Sequence, residues 1–520
     1  MMRLPTRQNL VRYSRDRGVL LRSSLVLVAV ATALAFLASL IAPAEHSRLH
    51  ERAVSGFAPE GKSALISLIR FGLPLEAGSR VGNCARLLDE GEQNPFAPAI
   101  EAALAKEPDE LIEIWWRGLQ EGNATEAIAR LESADAELRH RNEFLADLKY
   151  RSSDAGGALR HYLAEAERFE AASYARRSAL FLARLGEDKT LVRELLDDAS
   201  VRRAFAPSDL FSYQAYAGDY VGLARSVLLS EARSFGTIYL IPALFTAAIW
   251  FFILLAFREH PARHVARALV AFALGVVSAV LTLYLVVLQQ ERGGPEFHPD
   301  DSALAQFVFF LSGVALREES LKLLCFFPLA LALRRRGSPV EALVLAGMVG
   351  LGFAFQENLL YFEAGSGTFT AWLRLLTANA LHFSLTGVAG WYLWKMLRRS
   401  MRGWEEFLLA FLAVVFAHAL YNALLAMPAL SAYAPLSPIW VAVIAYQYFD
   451  PLRQHMETAG QHQRLSPLGI FILGSVILTC TIFVGSAMVE PFRFALGAFV
   501  SSVAAMIPLA FAFISRFRDL

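Results

Sequence analysis

From Thr237 onward the chain is a succession of apolar stretches, each about as long as a bilayer is thick, and nothing constrains its fold more. They run at 237–257, 268–288, 304–333, 340–362, 377–394, 405–427, 436–449, 467–488 and 492–514, and a further one extends from Leu25 to Ala42. A helix crosses a hydrocarbon core of ~30 Å with about 20 apolar residues. The expected class is therefore all-α, a polytopic helical membrane protein with about ten transmembrane helices. Composition agrees, with 55% hydrophobic residues, 19% charged residues and a mean hydropathy of +0.40. The net charge of +1 provides no bulk attraction to nucleic acid, and no nucleic-acid partner is expected.

Residues 1–22 form a basic tail with Arg3, Arg7, Arg12, Arg15, Arg17 and Arg22. Residues 23–44 read as a membrane anchor. Ala42-Pro43-Ala44 resembles a small-residue cleavage site, so a removed signal peptide is the competing reading. Residues 45–235 change character: charges of both signs are dense and no apolar run reaches spanning length. Short amphipathic patterns there, and a turn at Ala217-Gly218-Asp219-Tyr220, predict an α-helical domain inserted after the first helix. That domain resembles a tetratricopeptide-like array without a strict 34-residue period, and an irregular bundle fits equally well. The membrane domain follows over 237–430, with a core at 300–430 and additional helices over 431–520.

Basic residues alternate between the loops. Arg258, Arg263 and Arg267 share one loop, Arg334, Arg335 and Arg336 another, and Lys395, Arg398, Arg399 and Arg402 a third. Arg453 and Arg464 follow, and Arg516 and Arg518 close the chain. The positive-inside rule then puts both termini in the cytoplasm of a multi-pass cell-membrane protein, a bacterial inner membrane being the expected one, and the helical domain outside. Cys84, Cys325 and Cys480 match no zinc or redox spacing, and no disulfide framework is expected.

Four successive apolar stretches carry polar clusters: Glu318-Glu319 with Lys322, Glu357-Asn358, His382, and His418 with Asn422. Ionisable groups at membrane depth are expensive, so each is a functional hypothesis by default. Counted from the nearest basic loop at 1.5 Å per residue, Glu319 lies ~22 Å deep, Glu357 ~25 Å, and His382 and His418 ~20 Å each. Four positions measured from four loops reach nearly one depth, which favours a shared site. His418 and Asn422 fall on one helical stripe, as do His382 and Thr386, and Phe353 and Glu357. Gly347, Gly350, Gly352, Gly387 and Gly390 are suited to close helix approach.

Structural readings stand beside the chemical one. Glu318 and Lys322 form an i,i+4 pair that neutralises buried charge, Asn358 is suited to an interhelical bond, and a lone buried histidine is an ordinary core residue. Acid–histidine chains also relay protons in transporters, although no repeated halves with matching broken helices are visible. A non-catalytic scaffold with a partner-binding helical domain is the third alternative.

Glu318-Glu319-Ser-Leu-Lys322 looks like the EExxK motif of the PrsW family of intramembrane proteases, and Phe353-Ala-Phe-Gln-Glu357-Asn358 is similar to its FAxxEN motif. His382-Phe-Ser-Leu-Thr386-Gly387 and His418-Ala-Leu-Tyr-Asn422 resemble its third and fourth motifs. The resemblance covers about 300–430 and leaves out the helical insert and the last three stretches. Related type II CAAX prenyl endopeptidases offer a histidine where Glu357 stands. The resemblance implies hydrolysis of a membrane-anchored protein substrate, of which anti-sigma factors are one kind. It points to Glu319, with Glu318, as base, Glu357 or His382 orienting water, and His418 and Asn422 at the oxyanion; Lys322 and Asn358 support them. The alternative is a divalent ion such as zinc on Glu357, His382 and His418. Sequence alone leaves both mechanisms open.

Overall fold

The computed structural model describes residues 7–41, 61–70, 96–120, 124–237, 240–257, 261–363, 368–457, 466–488 and 491–517. The Ala42-Pro43-Ala44 site, Cys84, and the loop residues Arg258 and Arg464 lie outside them. Every element among the described residues is helical, and the chain divides into one unit of Met1–Pro43 with Glu231–Leu520 and another of Ala44–Ser230.

The first unit holds ten principal helices: α1 Arg17–Ile41, α2 Leu240–Ala256, α3 Pro261–Glu291, α4 Leu316–Leu333, α5 Pro339–Glu363, α6 Thr368–Arg398, α7 Trp404–Ala426, α8 Ser437–Glu457, α9 Pro467–Ala487 and α10 Phe492–Phe517. Among the described residues seven helical segments are long and apolar enough to cross a membrane, and they include α1, α3, α5, α7, α9 and α10 and the stretch Pro428–Gln454. This is a multi-pass membrane protein. Three expected spans fall outside that set. α2 has only 17 residues, and α6 is 31 residues long with Lys395 and Arg398 in its last turn. The predicted span 304–333 is divided: a π-helical segment, Phe309–Ala315, separates the short helix Ala303–Val308 from α4, whose first turn carries Glu318 and Glu319.

α5 is the central helix, with 89% of its apolar window buried, and α3 and α6 flank it. Contact there is backbone to backbone. A Cβ on Gly350 would run into the His382 carbonyl of α6, and one on Gly352 into the Phe272 carbonyl of α3. Small residues allow this approach where apolar side chains gain nothing by leaving lipid. Behind α6, Phe383 packs on Tyr448 and Phe449 of α8, and Phe449 on Phe513 of α10. The expected basic loops also meet at one end of the bundle. Arg267 pairs with Glu341 at 2.8 Å, Arg398 donates to the Gly337 carbonyl at 3.0 Å, and Arg516 pairs with Asp450 at 2.8 Å.

The second unit, in its described residues, is a run of short helices with three successive cores. The first centres on Trp115 and Phe144, the second on Tyr162 and Ala175, and the third on Leu180 and Leu210. Each core is shared by neighbours in sequence, as in a quasi-one-dimensional stack. Three of the connections use one device. Ser153, Glu187 and Gly218 adopt positive φ, and the aspartate that follows each caps the next helix. Asp154, Asp188 and Asp219 accept from the amides of Gly157, Leu191 and Gly222 at 2.8–2.9 Å. These caps recur 34 and 31 residues apart, a spacing hidden in the sequence because only the third turn uses glycine.

The close approach of α5 and α6 is testable with one methyl group. Gly350→Ala is expected to cost roughly 1–3 kcal/mol and to lower the thermal midpoint of the detergent-solubilised protein by several degrees. Gly497→Ala in α10, where nothing lies within 4 Å of an added Cβ, is the control and should leave it unchanged. Equal midpoints for both variants would contradict the packing argument.

Candidate active site

The ammonium of Lys322 is the centre of the site. Its Nζ lies 2.8 Å from Glu319 Oε1, 3.4 Å from Glu318 Oε2 and 2.8 Å from His382 Nδ1. The ring of Phe353 lies beneath it, 3.8 Å to the centroid. The spacing on α4 explains the first two contacts: residues three and four apart share a helix face, so one lysine reaches both glutamates. α6 brings His382 to it, and α5 brings Phe353. A fully buried ammonium survives only where such partners offset its desolvation.

The imidazoles are held in a matching way. Lysine can only donate, so Nδ1 of His382 accepts and its Nε2 carries the hydrogen directed at Glu357 Oε2, 2.9 Å away. His418 places Nδ1 2.8 Å from Glu319 Oε1 and Nε2 3.8 Å from Glu318 Oε2. An ionised carboxylate only accepts, so His418 donates through Nδ1 and turns the Nε2 lone pair toward Glu318. Glu319 Oε2 takes the Thr386 hydroxyl at 3.3 Å, which occupies both oxygens of this carboxylate. The two imidazoles meet edge to face, with centroids 5.1 Å apart.

Each imidazole therefore has one nitrogen fixed by a carboxylate, Glu357 for His382 and Glu319 for His418; the second nitrogen of His418 turns toward Glu318, and that of His382 accepts from Lys322. Metal-binding histidines are commonly oriented in this manner. One donor atom from each of Glu318, His382 and His418 lies within 4.8 Å of the others, and all three residues are buried. Two imidazoles and a carboxylate suit zinc and similar divalent ions, so these residue types fit such a group, with His382 a ligand once its Nδ1 lone pair is released from the Lys322 ammonium. This set differs from the sequence expectation in its carboxylate. Glu318 joins the histidines, because α4 turns it toward them, whereas Glu357 sits behind His382 as its hydrogen-bond partner.

The supporting residues separate. Asn358 donates to Asn379 Oδ1 at 3.4 Å, bridging α5 and α6. Asn422 is half-buried one turn beyond His418 and makes no hydrogen bond to the cluster among the described residues. Sequence reading passed over Gln356, buried next to Glu357. Its amide reaches the Glu231 carboxylate and, at 3.3 Å, the Ser234 hydroxyl, both at the end of the helix Tyr220–Ser234. No motif marks Glu231, which reads as an ordinary charge on a polar helix. Asn379 was visible in the sequence, but no pattern gave it a partner.

No curated protein and no solved structure matches the chain. The family comparison falls on the helices just described, and the activity that goes with it is intramembrane proteolysis. Residues 260–448, from the start of α3 into α8 and including all four polar clusters, match the model of the PrsW family of intramembrane metalloproteases, the family that the four motifs resemble.

Proposed function

We propose that the protein is an endopeptidase that cleaves membrane-anchored protein substrates, regulated ones such as anti-sigma factors among them, at the Lys322-centred cluster. The observation that carries this reading is the convergence of four motifs, from four helices, on one buried set of three carboxylates, two imidazoles and an ammonium. Peptide hydrolysis needs a polarised carbonyl, a proton acceptor for water and a donor for the leaving amine. Glu318, His382 and His418 would hold a divalent ion, which when bound supplies Lewis-acid polarisation and acidifies water.

The carboxylates divide the remaining work by exposure. Side-chain exposure is 17% for Glu357, 8% for Glu318 and 0% for Glu319. Glu357 is thus the group water can reach, and we assign it the proton transfer, with His382 Nε2–H to orient it. Glu319, with both oxygens occupied, aligns His418 instead of acting as base. Lys322 balances the charge of Glu319 and holds it between α4, α6 and α7. Asn422 has an amide available for the developing oxyanion, and Asn358 braces α5 against α6.

We also propose ten membrane crossings, α1 to α10, with both termini in the cytoplasm of a bacterial inner membrane. The gathering of basic loops at one end of the bundle supports this arrangement. The helical unit then lies outside the cytoplasm, and its recurring capped turns support a tetratricopeptide-like array that binds a protein or peptide partner.

Comparing new protein N-termini in membranes with wild type and with Glu357→Gln at equal expression should show termini in or beside substrate spans only with wild type. In a purified assay this variant should lose about 10²–10⁴-fold in turnover while keeping its metal content. Glu318→Gln should lose bound zinc and activity together, and chelation of wild type should abolish activity that zinc restores. Activity that survives complete chelation would instead favour a glutamate-only mechanism; identical N-terminal profiles would favour transport or scaffolding. Lys322→Met leaves Glu319 buried without its cation and should destabilise the fold by about 3–5 kcal/mol, read as loss of monodisperse protein on gel filtration.

A further inference from the structure

We propose a second divalent-metal site, of the zinc class, in the helical unit, formed by His140, Glu143 and Glu165. One donor atom from each of the three lies within 4.8 Å of the others. His140 and Glu143 stand at the start of the helix Arg141–Arg151, three residues apart, and Glu165 comes from the adjacent helix Ala155–Arg168. Glu165 is fully buried. Its Oε1 accepts the His140 amide at 2.6 Å, while its Oε2 is buried and has no hydrogen-bond partner. An unpartnered carboxylate oxygen of this kind is costly unless a cation or proton meets it.

The surrounding charges favour a cation. Arg70 is the guanidinium of the cluster, 2.9 Å from Glu143 Oε2 and 3.5 Å from Asp147 Oδ2. Arg70 thus pairs with Glu143 and Asp147 and leaves the third carboxylate, Glu165, to be met by an ion. His140 supplies the imidazole that selects a zinc-class ion over a hard one. It is also the exposed edge of the site, at 18% side-chain exposure, so an ion can enter there and keep a coordination position for water or an external ligand. His140 holds a left-handed backbone conformation, φ 74°, which turns its amide onto Glu165 and its ring onto Glu143.

The test uses the full-length protein in detergent, stripped with a chelator and titrated with zinc against a colorimetric competitor. The membrane site is the same in wild type and in the variants of the helical unit, so differences among these report that unit. Wild type is expected to bind one equivalent more than His140→Ala and Glu165→Gln, or to bind that equivalent at least tenfold more tightly. His418→Ala should retain it. If Glu165→Gln elutes as aggregate, His140→Ala, at a partly exposed position, decides alone. A wild-type zinc count and affinity no greater than those of His140→Ala would overturn the proposal.

Discussion

A lysine with no contact to solvent is the fixed point of the membrane unit. Its ammonium cannot be left unpaired at that depth, and the three acceptors that satisfy it come from two helices. Through Glu319 the pairing extends to His418 on α7 and Thr386 on α6, and through His382 to Glu357 on α5. Four helices are thus joined by one connected polar network surrounded by apolar contacts. Such a network is stabilising only when complete, because each orphaned member would cost the full desolvation of a buried charge. The positions of these side chains are consequently more tightly specified than hydrophobic packing alone could make them.

The apolar scaffold sets distances that the network then uses. Glycine contacts bring α5 and α6 close enough for a glutamate on one to reach an imidazole on the other. The residue after His382, Phe383, is held by Tyr448 and Phe449, so α8, the helix in which the family match ends, helps to fix the imidazole. In the helical unit stability is gathered locally, each core belonging to neighbouring helices.

How much could be read from the sequence follows from these differences. Helical class and the meeting of Glu318, Glu319, Lys322, Glu357, His382 and His418 were legible, because hydropathy fixes depth and spacing fixes the helix face. The rotation of each helix was not. Whether Glu318 or Glu357 joins the histidines depends on how α4 and α5 turn about their axes, and nearly uniform apolar sequences carry little record of that. The π-helical segment was hidden for the same reason, since Phe309–Ala315 looks like ordinary apolar helix. The repeating turns escaped notice because Ser153 and Glu187 occupy positions where glycine would have announced a left-handed residue. Contacts such as Gln356 with Glu231 join residues far apart in the chain, and no local pattern encodes them.

That π-helical segment has a consequence for register. A π turn contains about one residue more than an α turn, and one residue on an α-helix corresponds to a rotation of about 100°. The wide turn before α4 therefore sets the phase of everything that follows it, and Glu318, Glu319 and Lys322 begin within its next turns. Tightened into regular α-helix, the same residues would be turned by about 100° from the face that meets the two histidines. The face that α4 presents to the two histidines is in this sense a property of chain length as much as of residue identity, since a single extra residue upstream supplies the rotation.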